Sequence, residues 1–145
     1  PDQLGWAMPA YVAETDEIAR KEAGAHIESL FNKFIASPTQ YKLPPGYSSL
    51  ASYKAVVEGK YKVRQSYLDC DTLIDNGMFL CGSAETVVAK LEEYQKEMGF
   101  GNIAPMLQFG TLPAELTEKN LRMFAEEVIP KVKHLGVLKE TVAAE

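Results

Sequence analysis

The sequence has no basic excess, no long apolar run and almost no cysteine. Fifteen Lys and Arg stand against twenty Asp and Glu, a net charge of −5. A surface for nucleic-acid phosphates is built on surplus Lys and Arg, so nucleic acid is excluded as a partner. The bases are scattered among acids and form no cationic patch for a membrane surface. No apolar stretch approaches the roughly 20 residues that span a bilayer. The only cysteines, Cys70 and Cys81, have no metal-ligand spacing to His26 or His134. Both read as buried or neutral thiols in a reducing, cytoplasmic setting; the spacing permits a disulfide between them without calling for one. The GxGxxG, P-loop, GxSxG and HExxH signatures are missing too. So are an initiator Met and a secretory leader, and the expectation is a chain that enters an architecture partway through.

What is present is an ordinary globular balance, 46% hydrophobic and 24% charged over 145 residues, enough for one domain with a core. Residues 8–13 (MPAYVA) read as a strand. Thr15 caps the next helix, with acids in its first turn facing the positive end of its dipole. Its buried face is expected to carry Ala19, Ala23, Ile27, Leu30, Phe31, Phe34 and Ile35. His26 beside that face reads as a partly buried, hydrogen-bonded histidine. Residues 37–52, with Pro38, Pro44, Pro45 and Gly46 and interleaved Tyr41 and Tyr47, break regular structure. They are either a lid or binding loop or an ordered surface excursion. Helices are expected over 49–58 and 66–75, the second closed by Asn76 and Gly77.

The last third is the most regular. Residues 78–81 (MFLC) form an apolar strand without alternation, as when both faces are covered. Gly82 and Ser83 turn into a helix capped by Ser83, with Val87, Val88, Leu91, Tyr94 and Met98 as its stripe, a Glu92–Lys96 pair outside, and Gly99 and Gly101 closing it. Residues 103–109 (IAPMLQF) form the next strand. Pro105 cannot donate to a ladder and belongs at a strand start, an edge or a bulge. After the turn 110–113, Thr117 opens a last helix with Leu121, Phe124, Ala125, Val128 and Ile129 inward, bent or ended by Pro130. The tail 136–145 is weakly patterned. Strands separated by helices imply an α/β fold with parallel pairing. Three short apolar strands leave open edges, a physical reason to expect further strands.

An ordered set of pieces in this region resembles the C-terminal end of the bacterial luciferase-like flavin monooxygenases. The pieces are Phe79-Leu80-Cys81-Gly82-Ser83-Ala84-Glu85-Thr86-Val87, then Lys90-Leu91, then Gln108-Phe109-Gly110-Thr111-Leu112-Pro113, then Met123-Phe124-Ala125-Glu126-Glu127-Val128-Ile129-Pro130. Tyr11-Val12-Ala13-Glu14-Thr15 resembles the strand-to-helix passage before that family's insertion region. Ala84 stands where the family most often has Pro, a residue suited to the first helical position. The resemblance implies the C-terminal portion of a (β/α)8 TIM-type barrel, for which roughly 250 residues is typical. Residues 1–145 would be a single partial domain with an insertion or lid at 37–65.

The resemblance further implies reduced FMN supplied by a flavin reductase, or deazaflavin F420, used with O2 on a small organic substrate. It implies association with the N-terminal half of the barrel, and the open edges suggest a homodimer. The family's catalytic histidine and most of its phosphate contacts come from the N-terminal half, so no catalytic residue is assigned here. The candidate cofactor-binding residues follow the strands. Gly82 and Ser83 are either a plain cap or an anion site at a helix N-terminus. Gln108, Phe109 and Gly110 are either a turn with a core Phe or a place where a flat ring approaches. The alternative to an enzyme portion is a non-catalytic truncated barrel fragment that self-associates or binds flavin or a partner; a third reading is an unrelated small α/β domain.

Overall fold

A computed structural model describes residues 4–36, 46, 48–58 and 67–135. The expected 37–65 insertion lies outside the described residues except for 46 and 48–58, and the tail 136–145 lies wholly outside them. The first strand, β1 (Gly5–Ala13), starts three residues before the apolar run and is completely buried from Met8 onward. Helix α1 (Asp16–Ser29) is capped by Thr15, whose hydroxyl accepts the Ile18 N–H at 3.2 Å. Its buried side chains, Ala19, Ala23 and Ile27, recur every fourth residue, and Phe31 continues the row. Burying Ile27 alone is worth about 2 kcal/mol. Phe34 and Ile35 were expected in that row but are exposed by 61% and 50%. The helix continues through a π-helical turn, Leu30–Phe34, in which Ile35 N–H reaches back to the Leu30 carbonyl. The extra residue in that turn rotates the later side chains away from the core.

Helix α2 (Leu50–Val57) matches the expected 49–58 and exposes most of its side chains from Leu50 to Ala55. Helix α3 (Cys70–Asp75) is shorter than expected, because Asp69 caps it by accepting the Thr72 N–H at 2.8 Å. Strand β2 (Leu80–Ser83) starts later than the MFLC run and includes Gly82 and Ser83. Met78 stays outside because its N–H is spent on the Leu73 carbonyl at the end of α3. Helix α4 (Ala84–Met98) buries Ala84, Val87 and Leu91 and closes at Gly99; its outer ion pair is Lys90–Glu93 at 2.7 Å rather than Glu92–Lys96. Strand β3 (Asn102–Met106) stops short of the expected Phe109 and holds Pro105 at the edge of the sheet.

Helix α5 (Ala114–Met123) opens after Pro113, so Thr117 is one turn inside it and donates its hydroxyl back to the Pro113 carbonyl. The inward row is Asn120, Phe124 and Val128; Leu121, Ala125 and Ile129, expected inward, are exposed. Pro130 does not end the helix. A second π-helical turn, Phe124–Val128, precedes it, and α6 (Ile129–Val132) carries Pro130 as its second residue, so the irregular turn lies just where Pro130 brings no N–H to the helix.

The described strands are all parallel, and their order is β2-β1-β3. Successive barrel units would place β2 between β1 and β3, with every helix on one face. Here β1 is central and both faces are covered. One core joins Tyr11, Ala13, Phe79, Cys81 and Phe109 to α1 and α3. The other joins Met8, Ala10, Val12 and Leu80 to α4 and the last helix. The chain moves one way across the sheet from β1 to β2 and back the other way to β3. Right-handed crossovers then require α1 and α4 on opposite faces, as found. Among the described residues the fold is a three-stranded parallel α/β sheet covered on both faces.

Candidate functional site

Ligands of parallel α/β sheets bind beyond the C-terminal ends of the strands, which here are the turns at the ends of β2 and β3. At the first, Ser83 caps α4 with its Oγ accepting the Thr86 N–H at 3.3 Å. The Ser83 N–H donates to Asp16 Oδ1 at 2.6 Å, and the Thr86 hydroxyl donates to Asp16 Oδ2 at 3.1 Å. The Ser83 N–H holds the Asp16 carboxyl below its ordinary value, against an opposing push from burial. Gly82 is required by proximity: a Cβ there would lie 2.6 Å from Asp16 Oδ1 and 2.9 Å from Thr86 Cγ2. The positive end of α4 therefore already holds an anion, supplied by α1.

At the second turn the Gln108 side chain is exposed and Phe109 is buried. Phe109 packs edge-on against Phe79, with centroids 5.4 Å apart, and against Tyr11 at 6.5 Å. Gly110 has φ +55°, and a Cβ there would collide with the His26 carbonyl oxygen. His26 is half-buried, as expected, and its Nδ1 lies 2.8 Å from Thr111 Oγ1. The space a flat ring needs beside Gly110 is taken by the end of α1. Of the five predicted strand-end residues, Gly82 and Ser83 thus meet Asp16 of α1, Gly110 meets the His26 carbonyl, Phe109 lies in the core and Gln108 is exposed.

Two groups escaped the sequence reading. Asn120 is wholly buried; its Oδ1 accepts the Val12 N–H at 2.9 Å, and its amide donates to the Ala10 and Leu107 carbonyls at 2.8 and 2.9 Å. It replaces β3 along the second half of β1, where β3 has departed. Its place four residues before Phe124 and eight before Val128 was the available signal. The second is a charged network beyond β1. Lys119 bonds Glu14 at 2.7 Å and Glu22 at 2.9 Å, and buried Tyr11 donates to Glu22 at 2.9 Å. Burial, and then the bond to Glu22, pushes the Tyr11 hydroxyl well above its ordinary value. Burial alone would lower the Lys119 ammonium, but its two carboxylate bonds outweigh that and raise it.

A shallow groove of about 330 Å³ beside this network is lined by Glu14, Glu115, Glu118, Lys119, Arg122 and Met123. Its cations are committed: Arg122 bonds Glu118 at 2.7 Å, and Lys119 is held as above. An apolar cavity of about 270 Å³ bordered by Leu91, Phe100, Ile103, Phe124 and Val132 lies at the start of β3, the opposite end from the candidate turns. Among the described residues no group of His, Cys, Asp and Glu is arranged to hold a metal ion. Nor is any described helix long and apolar enough to cross a membrane.

No protein-family model and no curated protein matches the chain. Among solved structures, it is similar to the crystal structure of monooxygenase RslO1 from Streptomyces bottropensis, with a TM-score of 0.54 and 19% sequence identity. The match covers 89% of this chain and 31% of that one, so this chain spans about a third of the monooxygenase it resembles. At this identity the likeness is one of fold: the mixed α/β architecture described above is shared with part of a monooxygenase.

Proposed function

We propose that this chain is a C-terminal strand–helix portion of a flavin-dependent, luciferase-like monooxygenase that oxidises a small organic substrate with O2. The observation that carries the reading is the fold likeness to part of a monooxygenase over 89% of the chain. The ordered run from Phe79 to Pro130 supports it. Within that portion the strand-end turns are scaffold. Asp16 satisfies the α4 N-terminus, α1 covers Gly110, and Phe109 belongs to the core. FMN or F420 would be held by residues elsewhere in the whole enzyme, completed by the N-terminal half of the barrel or by a homodimer partner.

A second reading is favoured by the strand order. A sheet ordered β2-β1-β3 with helices on both faces suits a small self-contained module without catalysis. One experiment separates the two. The product of the whole reading frame that contains this sequence is purified, and its FMN binding and flavin-dependent O2 consumption are compared with those of the 145-residue chain. The enzyme reading expects both activities in the longer product and neither in the chain alone. A frame no longer than this chain, or a longer product that neither binds flavin nor consumes O2, sinks it.

A further inference from the structure

The apolar cavity of about 270 Å³ at the start of β3 lies at the opposite end of the sheet from the strand-end turns. Its walls come from α4, from the first residues of β3 and from the helical stretch that ends in α6. Leu91 and Phe124 are buried there, while Ile129 keeps 47% of its surface exposed. The helix changes pitch at this point. Phe124, which opens the π-helical turn, and Ile129, which follows it, both border the cavity. Such turns recur at functional sites, where the extra residue breaks the regular row of side chains. The charge is as distinctive. The protein has a net charge of −5, yet among the described residues no carboxylate borders the cavity and its one charged neighbour is Lys133. Lys133 makes no ion pair among the described residues, whereas Lys131 is held by Glu85 at 3.5 Å. The Gly101 and Asn102 N–H groups are both committed to the Leu4 carbonyl, at 3.0 and 3.2 Å, and the Gln95 amide donates to the Phe100 carbonyl at 3.4 Å.

We propose that this cavity binds a small aromatic monocarboxylate, with the ring inside and the carboxylate on Lys133. Size, shape and charge each narrow the ligand. An apolar cavity of about 150 Å³ lined by Leu, Ile and Phe already holds benzene. The larger space here takes one ring with a short linker that carries the carboxylate out to the rim. Phe100 and Phe124 border the space, so a flat ring finds aromatic partners for edge-on or offset contact as well as apolar area to bury. The carboxylate gains a charge-assisted bond from the one cation at the rim that no described carboxylate has claimed. A neutral alcohol of the same shape gains no ion pair, and an organic cation meets Lys133 as a like charge. The site lies away from the strand-end turns and requires no flavin, so it stands or falls separately from the monooxygenase reading.

The test titrates phenylpropanoate into the full 145-residue chain by calorimetry at low salt, with phenylpropanol and phenylpropylammonium as the neutral and cationic counterparts. The site expects one saturable event for the carboxylate with a submillimolar Kd, binding of the alcohol weaker by about fivefold, and weaker binding still of the ammonium. Methyl chemical-shift changes should centre on Leu91, Ile103 and Val132. Lys133→Glu, at an exposed position, exchanges one attraction for one repulsion, so carboxylate binding should fall about tenfold while that of the ammonium rises. Val132→Trp, which fills the cavity, should abolish binding of the carboxylate. Far-UV circular dichroism checks that each variant is folded; should Val132→Trp not be, Ile129→Trp at its exposed position carries the same expectation. No saturable carboxylate binding, equal binding of the three compounds, carboxylate binding unchanged in Lys133→Glu, or shift changes centred elsewhere overturns the proposal. So does a dimer of the chain that covers these methyls and that phenylpropanoate fails to dissociate, because the cavity then belongs to a second copy.

Discussion

The turn after β2 and the turn after β3 stand in the same place in two strand–helix units, and both are closed by α1, by different means. The first is closed by a side chain, the Asp16 carboxylate on the Ser83 N–H. The second is closed by backbone, the His26 carbonyl against Gly110, with Phe109 buried beneath it. A carboxylate can be neutralised or exchanged for an amide. A backbone wall cannot be moved without displacing the helix that carries it. The chemistry of closure therefore sets how each turn responds to mutation and to pH.

Gly110→Val should be the most damaging change. It puts a β-branched residue at a positive φ against the α1 backbone, at a cost of about 3 kcal/mol or more. Urea denaturation would show a large fall in midpoint, and a neutral result would mean that α1 does not sit on this turn. Asn120→Ala comes next. It strands the Val12 N–H and Ala10 carbonyl of β1 and the Leu107 carbonyl beyond β3, at about 3 kcal/mol in sum after relaxation. Hydrogen exchange should show the loss at Val12 first, while Leu121→Ser, an exposed neighbour, should stay within about 0.5 kcal/mol of the parent.

Asp16→Asn sharpens the comparison through its pH dependence. Its expected cost at neutral pH is about 1 kcal/mol. The folded protein holds the Asp16 carboxyl below its ordinary value of 3.8. Such a group stabilises fully above that ordinary value, and the contribution is lost as pH falls through the depressed one. The stability gap between parent and Asp16→Asn should therefore be widest near neutrality and close in acid. A gap that is flat with pH would show that the Asp16 charge plays no part in closing the first turn. Gly110→Val, whose cost is steric, should show no such convergence.

Much of this was legible in the sequence where the signal is local. Thr15 and Ser83 read as caps and are caps. The rows Ala19–Ala23–Ile27 and Val87–Leu91 face the core, and parallel pairing follows from alternating strands and helices. The strand order was not legible. Apolar runs show that a strand is buried on both faces and carry nothing about which neighbour it takes, so the order β2-β1-β3 could not be read from them. Asn120 was missed because a polar residue on a helix reads as solvated until its position in the inward row is counted. The exposure of Phe34 followed from a π-helical turn, which has no composition signature.

The same limit applied to the candidate site. Gly82, Ser83, Gln108, Phe109 and Gly110 were correctly expected near strand ends, but the partner each would meet lies far off in sequence. Asp16 is 67 residues from Ser83. Taken locally, Asp16 was only an acid in the first turn of a helix.

The central proposal is that α1 occupies both strand-end turns and so keeps flavin out of them. Its most direct test is a fluorescence titration of FMN with the 145-residue chain. The account predicts no saturable quenching up to about 100 µM protein, corresponding to a binding free energy weaker than about −5.5 kcal/mol. Saturable binding with a sub-micromolar Kd would contradict it.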